Sequence, residues 1–372
     1  MQESPRQRVI RSIQTRIGNG SYASMMRLPS EANLAEELDV SRGTVRNALT
    51  ELVESGILAL KPNIGYFVPE TLPVSFRKER HMVFILPEET QKPGNHYLEG
   101  LEKTASANGI DLKVVILRND PDRLDSVMEQ LRSPGYVGAI LLPRQCPNFY
   151  EYNIRIIDKF SFAGINHVVI DSPVSSGGII RGNFVGSDGY NASREIVDSL
   201  VDAGHRKIGT IRVFSGVYTA DARIRGIEDQ LRYRGIPLVP EYHTEVEHDR
   251  LLRGQGRQRI RELMALPEPP TAIICSHDEL AFNVIDELKH MNLRVPENVS
   301  IFGFDDMEIA ALIDLSTVAQ PFREIGRRAA EILIENCGDA RVPLRQEFLP
   351  CRLIPRGTVA ALAGRGNEVE IK

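Results

Sequence analysis

From Met82 onward the chain repeats one pattern: a short apolar run rich in β-branched residues, then an amphipathic stretch long enough for a helix. The runs read MVFIL, LKVVIL, VGAILL, HVVI, KIGTIRV, TAIIC and VSIFGF. Helical spacing of apolar residues fills 121–133, 189–203, 221–234, 251–265 and 278–291 between them. Strands apolar on both faces need cover on both faces, and strands separated by helices pair in parallel. The pattern therefore predicts an α/β fold with parallel sheets. Ligands of such sheets bind beyond the carboxyl ends of the strands, so polar residues at strand ends are the functional candidates. Asp171 follows HVVI, Asp278 follows TAIICSH, and Asp305 and Asp306 follow VSIFGF. A carboxylate accepts hydrogen bonds from several hydroxyls at once, so repeated carboxylates there suit a hydroxyl-rich ligand. Arg223 can donate in the opposite sense through a planar fork. Asp188 and Asp278 read more simply as N-caps of the helices that follow them. Gly204-His205-Arg206 reads as a helix stop and tight turn.

The first 70 residues follow another pattern. Val9, Ile10, Ile13 and Ile17 have helical spacing, and Gly18 and Gly20 end that helix. Ser30 is placed to cap a short helix, Glu31 to Leu38. After Asp39-Val40, Ser41 caps a longer one whose buried stripe is Val45, Ala48, Leu49, Leu52 and Val53. Gly56 suits its C-terminal stop. Two short helices joined by a tight turn form a helix-turn-helix. Off the stripe, the first turn of the second helix carries Arg42, Gly43, Thr44, Arg46 and Asn47. Guanidinium, hydroxyl and amide groups at that end, with a small residue for close approach, are the chemistry that reads DNA. Ile57–Leu60 and Tyr66–Val68 read as two strands around the turn Lys61-Pro62-Asn63-Ile64-Gly65, which makes a wing. Arg42 and Arg46 could also be a merely solvated face, but caps, turn, stripe and wing in this order argue for DNA. Arg27 reads equally as a DNA contact or a solvated loop residue.

Composition narrows the classes. Residues 1–78 carry a net +2 and the rest a net −7, which fits a DNA-binding head on an acidic body. No apolar run reaches the length of a membrane span, and residues 1–14 lack the apolar core of a signal peptide. Cys146, Cys275, Cys337 and Cys351 are far apart, as expected of single thiols in a reduced cytoplasm rather than a disulfide or zinc framework. There is no G-x-G-x-x-G after the first strand, no P-loop, no nucleophile elbow and no H-E-x-x-H. His243 and His248 are poorly spaced for a metal. No cofactor is expected.

The run LPSEANLAEELDVSRGTVRNALTELVESGIL…GYFV resembles the GntR-type winged helix. The resemblance implies DNA contacts at Ser41, Arg42, Thr44 and Arg46 and a wing tip at Pro62 and Asn63. Ala32 stands where the family often has Arg, Gly43 where many members have Thr, and Asn63-Ile64-Gly65 where the wing usually reads Gly-x-Gly. The segments VGSDGYNASREIVDSLVDAGHRKIGTI, Arg223-x-x-Gly226, TAIICSHDELAFNVIDEL, VPENVSIFGFDD and LSTVAQPFREIGRRAAEIL resemble the sensor domain of LacI-type regulators. That family is similar to periplasmic sugar-binding proteins. It implies two lobes with a small-molecule effector between them, contacted at Asp171, Arg223, His277 and Asp305. His277 stands where members often have Asn, and reads as easily as a satisfied cleft histidine. The loop around Gln91 to Tyr97 should also line the cleft. The expected domains are a winged helix-turn-helix over 1–70, a linker over 71–81, a two-lobed periplasmic-binding-protein-like domain over 82–358 and a flexible tail over 359–372. The combination resembles arabinose-responsive repressors. It implies a cytoplasmic, homodimeric regulator of operator DNA whose effector is a sugar. A co-repressor reading with a purine or other metabolite uses the same cleft, and an enzyme fused to a DNA-binding head lacks sequence support.

Overall fold

The computed structural model describes residues 4–18, 21–62, 64–70, 80–88, 93–118, 120–133, 135–146, 148–176, 178–213, 216–246, 254–337 and 343–362. Asn63, Gln91, His248, most of the 71–81 segment and residues 363–372 lie outside the described residues. The chain divides into two units after Arg80.

The first unit contains helices α1 (Pro5–Gly18), α2 (Glu31–Glu37) and α3 (Arg42–Glu54) and strands β1 (Ala59–Lys61) and β2 (Gly65–Phe67). Its helix starts follow from side-chain capping. Ser30 Oγ accepts from the Asn33 amide at 3.2 Å, and Ser41 Oγ from the Thr44 amide at 3.1 Å. Each supplies an acceptor to a helix-end donor that has no partner in its own helix. Val45, Ala48, Leu49 and Leu52 of α3 bury against Val9 and Ile13 of α1 and Leu34 of α2 in one core. The first strand begins at Ala59, not Ile57. The amides of Ile57 and Leu58 both turn back to the Leu52 carbonyl, so the end of α3 takes them before the sheet can. The wing strands pair antiparallel, Ala59 with Phe67 and Lys61 with Gly65. Residues 25–28 run alongside β2, with Leu28 N–H donating to the Tyr66 carbonyl and Val68 N–H to that of Met26.

The second unit alternates as its sequence pattern predicts. The first lobe holds β3 (Arg80–Leu86), α4 (Pro93–Ala107), β4 (Ile110–Ile116), α5 (Pro121–Leu131), β5 (Tyr136–Leu141), α6 (Phe149–Phe162), β6 (His167–Asp171), the short pair β7 (Ser175–Ser176) and β8 (Ile179–Ile180), and β9 (Asn183–Ser187). The chain then crosses to the second lobe: α7 (Gly189–Asp202), β10 (Ile208–Val213), α8 (Tyr218–Tyr233), β11 (His243–Val246), α9 (Gln255–Met264), β12 (Ala272–Cys275), α10 (Asp278–His290), β13 (Ser300–Phe302), α11 (Glu308–Leu312) and β14 (Thr317–Ala319). It returns for α12 (Phe322–Glu335) and β15 (Gln346–Leu349), and crosses back as β16 (Arg352–Ile354), which pairs with β14. The sheet orders are β15-β9-β6-β5-β3-β4 and β11-β10-β12-β13. The pairs β3–β5, β5–β6, β6–β9, β9–β15 and all three of the second sheet are parallel. Each sheet is covered by a separate apolar cluster on each face, as buried parallel sheets require. Three crossovers join the lobes, after Ser187, Ala319 and Leu349.

Two expectations need correction. Residues 359–362 are not a frayed tail: Val359 packs in the second lobe, the Ala360 carbonyl accepts from His205, and Leu362 N–H donates to the Ala203 carbonyl at 2.8 Å. Asp278 does not cap α10, whose N-cap residue is His277. Its buried carboxylate instead accepts from Thr317 Oγ1 at 2.6 Å and Met307 N–H at 2.8 Å, tying two later segments to α10.

Candidate functional site

On the first unit, the apolar stripe of α3 faces inward and leaves Arg42, Gly43, Arg46 and Asn47 exposed, with Thr44 half-buried. Gly43 is not imposed by crowding, since a Cβ there would meet only Ser41 Oγ, at 3.8 Å. Thr44 Oγ1 lies 2.8 Å from Ser41 Oγ, so both hydroxyls belong to the start of the helix. Arg46 is engaged: its Nε and one terminal nitrogen grip the Glu31 carboxylate at 2.8–3.2 Å. Tyr66 of the wing donates its hydroxyl to the same carboxylate at 3.4 Å. This network joins α2, α3 and β2. The Arg46 guanidinium holds the Glu31 carboxyl below the usual carboxylate range. Arg27 also belongs to the wing side: it bridges to Phe67, and its guanidinium lies against Gly65. Pro62 is exposed at the wing tip, and Lys61 Nζ sits 4.7 Å from the Phe67 ring centre.

In the second unit the strand ends of the two sheets face each other across a cavity of about 240 Å³. Asp171, Arg223, His277 and Asp305 all line it. Asp171 comes from the end of β6 in the first lobe; the other three come from α8, the start of α10 and the end of β13 in the second. Asp171 and Asp305 sit at φ 70° and 113°, a costly backbone region for residues with a Cβ that persists where surrounding structure enforces it.

Arg223 organises the cluster. One terminal nitrogen donates to the Ser276 carbonyl at 2.9 Å, and the other lies 3.6 Å from Asp305. Its guanidinium carbon is 3.7 Å from the Phe304 ring centre, a cation–π contact. Its Nε is buried without a partner. Asp305 accepts from Gln320 Nε2 at 2.5 Å, and Gln320 Oε1 accepts from Ser187 Oγ at 2.5 Å. Ser187 and Gln320 stand at two of the crossovers, so the cluster is bonded to the segments that join the lobes. Asp171 accepts from the buried Tyr97 hydroxyl at 2.7 Å and from Gln145 at 3.2 Å. His277 Nδ1 is 3.0 Å from Ser276 Oγ, which also accepts from Val213 N–H.

Burial raises both carboxyls. Asp305 is pushed up to about 7, with Arg223 opposing and Asp278 adding to the rise. Asp171 is raised by burial against the pull of Tyr97, Arg223 and Gln145. Two half-buried carboxyls beside one guanidinium leave acceptor capacity that a polyhydroxyl ligand can fill. Sequence reasoning missed Gln145, Gln320, Phe304 and Phe322 as cleft residues. Among the described residues there is no cluster suited to a metal ion and no helix long and apolar enough to cross a membrane.

Residues 5–68 match the family described as bacterial regulatory proteins, gntR family, and residues 197–359 match the periplasmic binding protein-like domain. The chain is 33% identical over 347 residues to the HTH-type transcriptional repressor CytR of Escherichia coli (strain K12), covering 89% of this chain and 96% of the relative. It is 27% identical over 337 residues to the arabinose metabolism transcriptional repressor of Halalkalibacterium halodurans, covering 88% and 87%. A LacI family transcriptional regulator from Enterococcus faecium, solved with bound ribose, shares the fold: TM-score 0.63 at 21% identity, over 76% of this chain and 100% of that one. The chain belongs to the LacI-type transcriptional regulators, with a gntR-type helix-turn-helix as its DNA-binding domain.

Proposed function

We propose that this regulator is a cytoplasmic homodimer that represses a sugar-utilisation operon and releases its operator when a small sugar enters the cleft. The observation that carries the sugar reading is the cluster of Asp171 and Asp305 at facing strand ends with Arg223 of α8 between them. Its two carboxylates accept from ligand hydroxyls, Arg223 donates to a ring or hydroxyl oxygen, and His277 closes one side. The relatives named for arabinose metabolism and the ribose-bound neighbour support that class.

On the DNA side, Arg42 and Asn47 read base edges, and Ser41, Thr44 and the α3 N-terminus hold phosphate. Gly43 permits close approach, since its small size serves no packing within the unit. Arg46 of α3 and Arg27 and Pro62 on the wing side extend the contact, with Asn63 proposed beside Pro62 from the sequence alone. One winged helix reads few base pairs, so two copies on a roughly two-fold-symmetric site are expected. No catalytic step or cofactor is assigned to the cleft.

A thermal-shift screen of the purified protein against pentoses, hexoses, uronic acids, disaccharides and nucleobases tests the reading. A ligand at 100 times its Kd adds about 2.7 kcal/mol to the unit that binds it. A shift with a sugar class, lost in Asp305→Asn, supports the cleft assignment. No shift with any sugar contradicts it.

The affinity should depend on pH with a fixed sign. In the free cleft Asp305 keeps its proton up to about 7. Ligand hydroxyls donate to the carboxylate, so binding favours the deprotonated form and releases the proton. Affinity then rises with pH and levels off above 7; below that, Kd grows by up to about tenfold per pH unit. Titration calorimetry at pH 6, 7 and 8, in buffers of different ionisation enthalpy, checks both the slope and the released proton. Equal Kd at all three pH values contradicts the role of Asp305.

A further inference from the structure

The cavity does not stop at the strand ends. Ala220, Arg223, Ile224, Ile227 and Glu228 all line it, and their spacing is one face of α8 over a length of roughly 12 Å. Opposite them stand Thr210 and Arg212 of β10. Thr210 lies three residues back from the strand end at Val213, a depth of roughly 10 Å. The cavity therefore continues as a slot beneath α8, beyond the charged cluster.

The slot differs from the mouth. Its walls are Ile224, Ile227 and Ile274, and its floor is polar. Thr210 Oγ1 and His243 Nδ1 lie 3.0 Å apart across adjacent strands. Burial lowers the His243 pKa, so the ring is neutral at neutral pH, with one donor and one acceptor nitrogen. Arg212 is paired with Glu245 through a terminal nitrogen at 2.7 Å, yet its Nε is buried without a partner. Glu228 also lines the slot and disfavours an anion there. A second sugar ring would press hydroxyls against the isoleucines and leave them without partners, which is costly. A flat, uncharged ring loses little at those walls, and its edge atoms can meet Thr210, His243 and Arg212.

We infer that the effector is a glycoside carrying a planar, uncharged ring: the sugar sits at Asp171, Arg223 and Asp305, and the ring fills the slot down to Thr210 and His243. This rests on the effector cleft proposed above and adds a second subsite to it.

Calorimetry on the full chain tests it with matched probes: D-ribose against uridine and adenosine, L-arabinose against its 4-nitrophenyl glycoside, and the free bases. At least one glycoside is expected to bind 100-fold more tightly than both its free sugar and its free ring. Thr210→Val should cut that advantage about tenfold, and Ile224→Phe, which fills the slot, should remove it. Neither should alter the Kd of a free sugar, and that unchanged Kd also shows that the variants are folded. Free sugars binding as tightly as their glycosides would overturn the second subsite and leave the sugar cleft standing. A glycoside advantage untouched in both variants would overturn its placement under α8. No binding of sugars or glycosides would overturn both readings.

Discussion

Arg223→Ala is expected to weaken effector binding by at least 100-fold while leaving the affinity for operator DNA in the absence of effector nearly unchanged. The side chain holds Ser276, faces Asp305 and stacks on Phe304. Truncating one partner of a buried charge pair costs about 2–5 kcal/mol, much of it from leaving the other charge unpaired. Without the guanidinium, Asp305 loses the main influence that opposes burial, so its carboxyl holds its proton more firmly still. That predicts a second signature: the pH above which binding levels off moves upward. Arg223→Lys should not rescue, because an ammonium can neither bridge Ser276 and Asp305 as a planar fork nor stack flat on Phe304. Calorimetry and DNA-binding anisotropy on the same preparations separate the two functions.

Arg42→Ala is the converse. It should abolish specific operator binding and leave the effector Kd unchanged. Arg42 is exposed in the first turn of α3, so its loss leaves no cavity. A good bidentate base contact is worth about 1–3 kcal/mol, and the symmetric dimer proposed above would lose it twice, or about 2–6 kcal/mol. Non-specific binding at low salt should persist, because other cations still meet phosphate. Gel-shift titrations with operator and scrambled duplexes measure the difference. A variant that also loses effector binding would mark Arg42 as structural.

How much of this was legible in the sequence varies with the range of the interactions. The first unit is written locally: Ser30 and Ser41 cap the helices, and the α3 stripe buries as its spacing demands. The alternation of apolar runs and helical stretches led to parallel sheets. Glycine, a poor helix former, stands inside both α4 and α12. Their packing supplies the reason. A Cβ on Gly100 would lie 2.0 Å from the Arg323 carbonyl, and one on Gly326 2.2 Å from the Tyr97 carbonyl. The contact that needs glycine on both helices weakens the local signal of each.

The cleft shows the same division. Asp171 and Asp305 stand where a strand-end argument puts them, whereas Arg223 reaches them from α8. Their partners Tyr97, Gln145 and Gln320 come from a helix, a loop and a crossover, and no local pattern announces a pairing such as Tyr97 with Asp171, 74 residues apart. Asp278 misled for a related reason. Its position suits a helix cap, but Thr317 and Met307 from later in the chain claim its oxygens.

Regulation as proposed requires the cleft and the DNA face to be coupled. The direct test is the affinity of the full chain for an operator selected from a random duplex pool, measured with and without a saturating amount of whichever sugar or glycoside gives a thermal shift. The selected site should be two-fold symmetric, its affinity should fall by about 5- to 150-fold with ligand, and ligand affinity should fall by the same factor when DNA is bound. An operator affinity that is identical with and without ligand would contradict that coupling.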